Sequence, residues 1–339
     1  KVMKKLFLSL VAVMMAATAT FAQSTLVATL THGENVTMYY GTYALRDAHN
    51  AAASGDVINL SGGGFQAVNI TKAVTLRGTG IDEAVPTSIV SSFIINIPTS
   101  DTNRFSMEGI RCNDYISLRG TFDNPYFLKC QISNVYFENN PVIKNVMFVN
   151  CKITGNNSYL AGTSAVQFVN SYVGGFSNNA ETTSSASFVN CVLRPYEGSR
   201  AEYLRSCQLM NCILFNNSAW NSNRLPNTSI ASNCVAINDN GRMNDFFNNS
   251  QTNPNCGYAV YSEMFKNFTG EYSDSQTFEL SDEGKKRQLG TDGSEIGLYG
   301  GLMPYTSIPS YPRITKMNVA SKTTADGKLS VEIEVSAAQ

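Results

Sequence analysis

Arginines, carboxylates and aromatic rings crowd one stretch of this chain. Between positions 194 and 224 stand Arg194, Tyr196, Glu197, Arg200, Glu202, Tyr203, Arg205, Trp220 and Arg224, and Trp220 is the only tryptophan. Three kinds of chemistry fit that mixture. Arg200 or Arg205 with Glu197 or Glu202 could carry a β-elimination on a uronate. Aromatic rings beside Arg, Asn and Glu suit sugar rings, by stacking on C–H faces and by paired hydrogen bonds to hydroxyls. On that reading the ligand-binding candidates are Tyr159, Tyr196, Trp220 and Arg224. The third reading is loop tips whose charges pair with one another, with no ligand at all.

Histidine narrows the choice. The chain has two, His32 and His49, both near its start. A triad, a histidine proton shuttle or a zinc hydrolase placed further along would lack its central group. The charge balance removes another class. There are 25 basic and 26 acidic side chains and no basic stripe, so nucleic acid is not an expected partner.

The elements that must position these residues are announced by cysteine. Cys112, Cys130, Cys151, Cys191, Cys212, Cys234 and Cys256 recur at steps of 18 to 22 residues, with Ser171 standing in the gap. A repeat of that size is one short unit stacked on itself. Aligned on the cysteine, the units read Phe148-Val149-Asn150-Cys151, Phe168-Val169-Asn170-Ser171, Phe188-Val189-Asn190-Cys191 and Leu209-Met210-Asn211-Cys212. Apolar residues alternate on both sides of the asparagine, so each side is a short strand and the asparagine is the corner. Asparagine tolerates the left-handed backbone that such a bend needs. Asn150, Asn170, Asn190, Asn211, Asn233 and Asn255 are expected to bond amide to amide along the stack. The thiols are expected to be buried and free. Side chains on neighbouring rungs point the same way about 4.8 Å apart, which suits neither a disulfide nor four convergent zinc ligands.

This pattern resembles the right-handed parallel β-helix of the pectin-lyase-like superfamily, with its asparagine ladder. The opening is similar too: a short amphipathic helix over Tyr43 to Ala53, then Gly55-Asp56-Val57-Ile58 and Val74-Thr75-Leu76-Arg77-Gly78. Leu289 to Gly301 resembles the closing rung of secreted β-helix proteins of Bacteroidetes-type bacteria. The fold expected is therefore all-β: a single-stranded right-handed parallel β-helix over residues 55–301, about eleven rungs. An N-terminal strand and capping helix (23–54) precede it. A Pro-rich linker (302–313) and a C-terminal β-hairpin (314–339) follow it. Such proteins include pectate lyases, with a calcium-binding acidic group and an Arg or Lys base. They also include polygalacturonases, with an Asn-Thr-Asp phrase, an Asp-Asp pair and Gly-His-Gly. None of these phrases stands here. No metal site and no cofactor are expected; Ca2+ stays open as a ligand, with no motif in its support.

Residues 1–22 read as a secretory signal peptide. Lys4 and Lys5 precede an apolar run from Leu6 to Ala17, and Thr20 and Ala22 hold the small-residue positions before Gln23. Removing Lys1, Lys4 and Lys5 leaves 22 basic against 26 acidic side chains, a net charge of −4. The expectation is an exported protein of the periplasm, outer surface or medium, not membrane-spanning. It is structural or binds a polysaccharide or glycan. A divergent polysaccharide lyase or glycoside hydrolase and a surface adhesin are the alternatives. Oligomeric state is left open.

Overall fold

The computed structural model describes residues 26–155, 158–178, 183–195, 204–215, 224–239, 245–248, 255–267, 273, 276–319, 326–328 and 331–336. The chain winds into a parallel β-solenoid of about eight turns. The strand before each corner stacks in register on the next. Phe127, Phe148, Phe168 and Phe188 are matched across successive rungs. Their rings stack inside the coil at centroid distances of 4.5, 5.0 and 5.0 Å. Ile132, Ile153, Val173, Leu193, Leu214 and Ala236 form the parallel column after the corner, all fully or almost fully buried.

The corner asparagines adopt the expected backbone. Asn150, Asn170, Asn190, Asn211, Asn233 and Asn255 have φ between 43° and 57°. Lys129 holds the same position at 52°. One rung departs from the alignment. Cys112 pairs with Ile132, not with Cys130, so it sits two positions beyond the cysteine column. Glu108 pairs with Leu128, which puts the corner at Gly109, with φ 68°, and Ile110 in the cysteine column. The first step of the ruler is short because Cys112 is off the ruler.

The asparagine amides do not bond to one another as expected. They hold the C-terminal segment, which turns back and runs along the corners from Asn233 to Lys129. Asn233 Nδ2 donates to Leu289 O at 2.9 Å. Asn211 Oδ1 accepts from the Thr291 N–H at 3.0 Å. Asn170 Nδ2 donates to Leu298 O and Gly300 O at 2.8 and 2.7 Å. Asn150 is engaged on both ends: its Nδ2 donates to Met303 O at 3.1 Å, and its Oδ1 accepts from Thr306 at 2.8 Å. Lys129 reaches Ser310 Oγ at 3.1 Å, and the Tyr311 hydroxyl bonds to Gly78 O. A Cβ at Gly301, where φ is 73°, would overlap the Asn190 amide. Residues 289–311 are thus a strap, neither a closing rung nor a free linker. The turns number about eight and not eleven.

The segment before the strap covers a second apolar surface. Tyr172, Val192, Ile213 and Val235 follow the corner and face outward, yet are buried. They pack with Met264, Phe265, Phe278, Leu280, Ile296 and Leu298. Tyr172 stacks on Phe278 at 4.8 Å. This outer cluster consists of residues whose exposure would otherwise cost about 1.5–3 kcal/mol each.

The first end is closed by strands β1 (Val27–His32) and β2 (Asn35–Tyr40), helix α1 (Ala44–Ala51) and strand β3 (Val57–Leu60). β1 pairs antiparallel with both β2 and β3. α1 buries Ala44, Leu45, Ala48 and His49. Lys72 Nζ donates to the carbonyls of His49, Asn50 and Ala52 at 2.7–2.9 Å, which satisfies the helix C-terminus and complements its dipole. His32, at the end of β1, meets Asp56 Oδ1 through Nδ1 at 2.7 Å. The hairpin Arg313–Val319 with Val331–Ser336 forms a separate two-stranded antiparallel sheet.

Two outcomes follow from this packing. Burial, and then the Lys72 charge, push His49 down to about 4 from its usual 6.5. The unfolded chain therefore binds a proton between pH 6.5 and 4 that the folded chain refuses. Stability is full above pH 6.5 and is lost as pH falls toward 4, by on the order of 3 kcal/mol for this group. Thermal melting of His49→Gln should show a flatter profile over pH 5–6.5 than the parent. Asn170→Gly keeps the left-handed corner but removes the strap contacts, so denaturant unfolding should show a loss of about 1–3 kcal/mol. Asn170→Ala should lose about 1 kcal/mol more through backbone strain.

Candidate functional site

The solenoid offers two outer sheet faces that carry polar and aromatic side chains. The first holds a tyrosine ladder. Tyr136 pairs with Tyr159 on the next rung, and their rings stack at 4.9 Å. Tyr136 also meets Tyr115, ring centroids 4.9 Å apart and planes tilted by 38°. Beside them Arg119 Nε donates to Ser117 Oγ at 2.9 Å, and Arg119 Nη2 meets Glu138 Oε2 at 2.5 Å. The Ser117 hydroxyl, and then Arg119, hold the Glu138 carboxyl below its usual range. Glu138 Oε2 takes the hydrogen bonds from Ser117 Oγ and from Arg119 Nε and Nη2. The rings cover one another's faces, so the ladder shows edges and hydroxyls to solvent.

The second face lies on the strand before the asparagine corner. Three hollows follow one another along it. The largest, about 410 Å3, is lined by Thr99–Arg104, by Thr121–Asn124 and by Val142 and Lys144. The next, about 300 Å3, begins at Asn145 and continues through Met147, Gln167, Ser187 and Gln208. The last, about 180 Å3, shares Ser187 and Gln208 and ends at Met210 and Ile230. The register explains the alignment: Met147, Gln167, Ser187, Gln208 and Ile230 are paired rung to rung on one outward column.

The acidic groups of the large hollow are tied up. Partial burial works against the Asp101 carboxylate, but hydrogen bonds from Ser54 Oγ, the Ala73 N–H and the Asn103 N–H pull it below the usual range. Asp123 Oδ1 accepts from Asn145 Nδ2 and the Asn124 N–H, both at 3.0 Å. Arg104 donates to Asn124 O at 3.0 Å and lies 4.3 Å from the Tyr126 ring centroid. Lys144 is exposed at the rim.

The sequence candidates fall elsewhere. Tyr196, Glu197, Arg200, Glu202, Tyr203 and Trp220 lie outside the described residues. Arg205 stands in a turn, where its carbonyl accepts from Asn178 Nδ2 at 2.6 Å. Arg224 makes an exposed ion pair with Asp245 at 3.3 Å. Arg194, grouped with them by sequence, is buried. Phe176, which shares its offset with Tyr196, packs inside, edge-on to Phe168 and Phe188. Tyr159 does reach an outer face, but Tyr136 covers one side of its ring. The described candidates do not converge. Sequence reasoning missed Tyr115 and Tyr136 because bulges shift their offsets from the corner. It missed the hollows because Gln, Ser and Thr on an outward column carry no motif.

The thiols, the remaining potential nucleophiles, are all free. Seven are buried and Cys256 is half-buried. They do more than fill space. The Sγ of Cys130, Cys151, Cys191 and Cys212 lies 3.2–3.4 Å from the carbonyl two residues back. Ser171 makes the same bond at 2.8 Å, which is why serine replaces cysteine there without loss. Burial pushes the Cys112, Cys151, Cys207, Cys212 and Cys234 thiols well up. Among the described residues no group of three His, Cys, Asp or Glu is placed to hold a metal ion, and no helix is long and apolar enough to cross a membrane.

No family model, curated protein or solved structure matches the chain.

A thiolate is the reactive form, so native thiols here should be inert. Titration of the folded chain with a thiol reagent should label Cys256 at most, and all eight cysteines should react after unfolding.

Proposed function

We propose that this β-solenoid is an exported, non-catalytic scaffold that holds a glycan chain along the outer face before the asparagine corner. The observation that carries the reading is the series of three hollows: the first ends at Lys144, next in sequence to Asn145 of the second, and the second and third share Ser187 and Gln208. Amides, hydroxyls and two cationic side chains line the polar part. Such groups donate to and accept from sugar hydroxyls without reacting with them. A polymer lying along the axis would meet an equivalent side chain every rung, about every 4.8 Å. Many weak contacts in a row then sum to useful affinity.

The carboxylates favour binding over turnover. A glycosidase or lyase needs a carboxyl or a base free to move a proton at the reacting atom. Asp101 spends both oxygens on neighbours, and Asp123 and Glu138 each commit one, Oδ1 and Oε2. The tyrosine ladder supports the reading less, since sugar stacking needs an open ring face. The export reading rests on the leader-like segment 1–22. A place in the pectin-lyase-like superfamily rests on the corner phrases and the opening motif.

A glycan array followed by calorimetry on the best ligand tests this. Lys144→Ala with Gln167→Ala should weaken binding at least tenfold and leave thermal stability unchanged, because both side chains stand at the surface of the groove. An ultraviolet assay for unsaturated uronate should stay flat. Product formation lost in Arg205→Ala would establish the lyase alternative. Binding lost in Trp220→Ala, with the Lys144 and Gln167 variants unaffected, would move the site to the 194–224 stretch.

A further inference from the structure

Both histidines of the chain stand in the cap that closes the first end, His32 at the end of β1 and His49 in α1. His49 is only 2% exposed. Its Nε2 accepts from the Thr71 N–H at 3.3 Å, so the proton of the neutral ring sits on Nδ1. Nδ1 is itself buried and bonds to nothing among the described residues. A second proton can enter only at Nε2. There it turns an acceptor into a donor that faces the Thr71 donor. It also leaves a charged ring buried with two N–H groups that nothing accepts. Lys72 adds a like charge, since its ammonium is fixed on the carbonyls of His49, Asn50 and Ala52.

The other charges around α1 do not offset this. β2 and β3 bring no charged side chain, and Glu34 in the turn between β1 and β2 is exposed. Arg46 pairs with Asp47 on the open side of the helix. Asp56 is engaged by the Ala53 N–H and by His32, both at 2.7 Å. Asp101 holds Ser54 Oγ and the Ala73 N–H. The cap packs on the first turn: β1 pairs with β3, and α1 packs against β1, β2 and β3. Turns of a solenoid touch only their neighbours, so an end can open while the rest stays folded.

We infer that His49 is an acid release for this cap: protonation at Nε2 detaches residues 27–52 from the first turn while the turns beyond it stay folded. Opening bares the edge of β3 that β1 now covers, a row of unpaired backbone groups. The sign follows from the ring. Burial, and then Lys72, hold the closed ring at about 4, whereas the released ring returns to its usual 6.5. The open cap therefore takes up a proton that the closed one refuses. Opening is constant well above pH 6.5 and grows more frequent below it, through His49 alone by roughly 60-fold between pH 7 and 4.5. His32 works in the opposite sense, because charging it strengthens its bond to Asp56. The release does not depend on glycan binding.

Hydrogen exchange of the full chain at pH 7 and 4.5, corrected for the intrinsic rates of free amides, tests this. Protection of the α1 amides should fall at least tenfold at the lower pH, while that of residues 146–149, deep in the solenoid, should hold. His49→Gln should flatten the α1 response, and His32→Gln should steepen it. Equal loss in α1 and in residues 146–149, or an undiminished response in His49→Gln, would overturn the proposal. The unmodified chain supplies an independent reading, because two histidines give two imidazole signals in nuclear magnetic resonance. One should stay neutral to below pH 5. Both titrating near pH 6.5 with α1 still protected would overturn the proposal as well.

Discussion

The left-handed asparagine corner is the constraint on which this molecule turns. A bend between two short strands needs φ near +50°, and six asparagines supply it in register. Any non-glycine residue there pays a backbone cost, and asparagine recovers it through its amide. Because the rungs stack, the six amides form one row. The amides of Asn150, Asn170, Asn211 and Asn233 bond to the strap between Leu289 and Thr306, so the corner that shapes these turns also fastens the chain's return path. The thiols sit one position further on and cap the corner carbonyls from inside. A single local bend thus organises an inner thiol column and an outer strap.

The strap divides the surface. On the corner side, Tyr172, Val192, Ile213 and Val235 are covered by residues 264–298 and form a second core outside the coil. On the face before the corner, the outward column from Met147 to Gln208 stays open and forms the hollows. The same strand carries both: Val149, next to Asn150, is buried, while Met147, two residues earlier, lines a groove. Alternation at period two assigns one side chain to the strap side and the next outward one to solvent. The open groove and the closed corner are consequences of one register.

Much of the fold was legible from the chain, because stacking forces equivalent residues to repeat. The phrases around Cys151, Ser171, Cys191 and Cys212 gave strand, corner and strand, and the coordinates agree. Cys112 misled, since a cysteine two positions out of register still looks periodic. The partner of the asparagine row was not legible. Amide-to-amide and amide-to-strap bonding need the same residue at the same corner, and only the path of residues 289–311 separates them. The Leu289–Gly301 phrase looked like a rung because its glycines suit tight turns, yet one of them, Gly301, is there to let the Asn190 amide approach. The candidate site was least legible. Tyr159 was among the sequence candidates, but its stacking partner Tyr136, and Tyr115 beside that, lie behind bulges, and the hollows are built from residues without a chemical signature.

The direction of the strap is the most exposed part of this account. Spin labels at Ile308, Asp82 and Ile230, all solvent-accessible positions, would read it by pulsed electron resonance. A strap that runs along the corners in this direction puts Ile308 near Asp82 and roughly 20 Å from Ile230, between four and five rungs away. A short Ile308–Ile230 distance, or a broad distribution to both partners, would contradict the asparagine row as the strap's anchor.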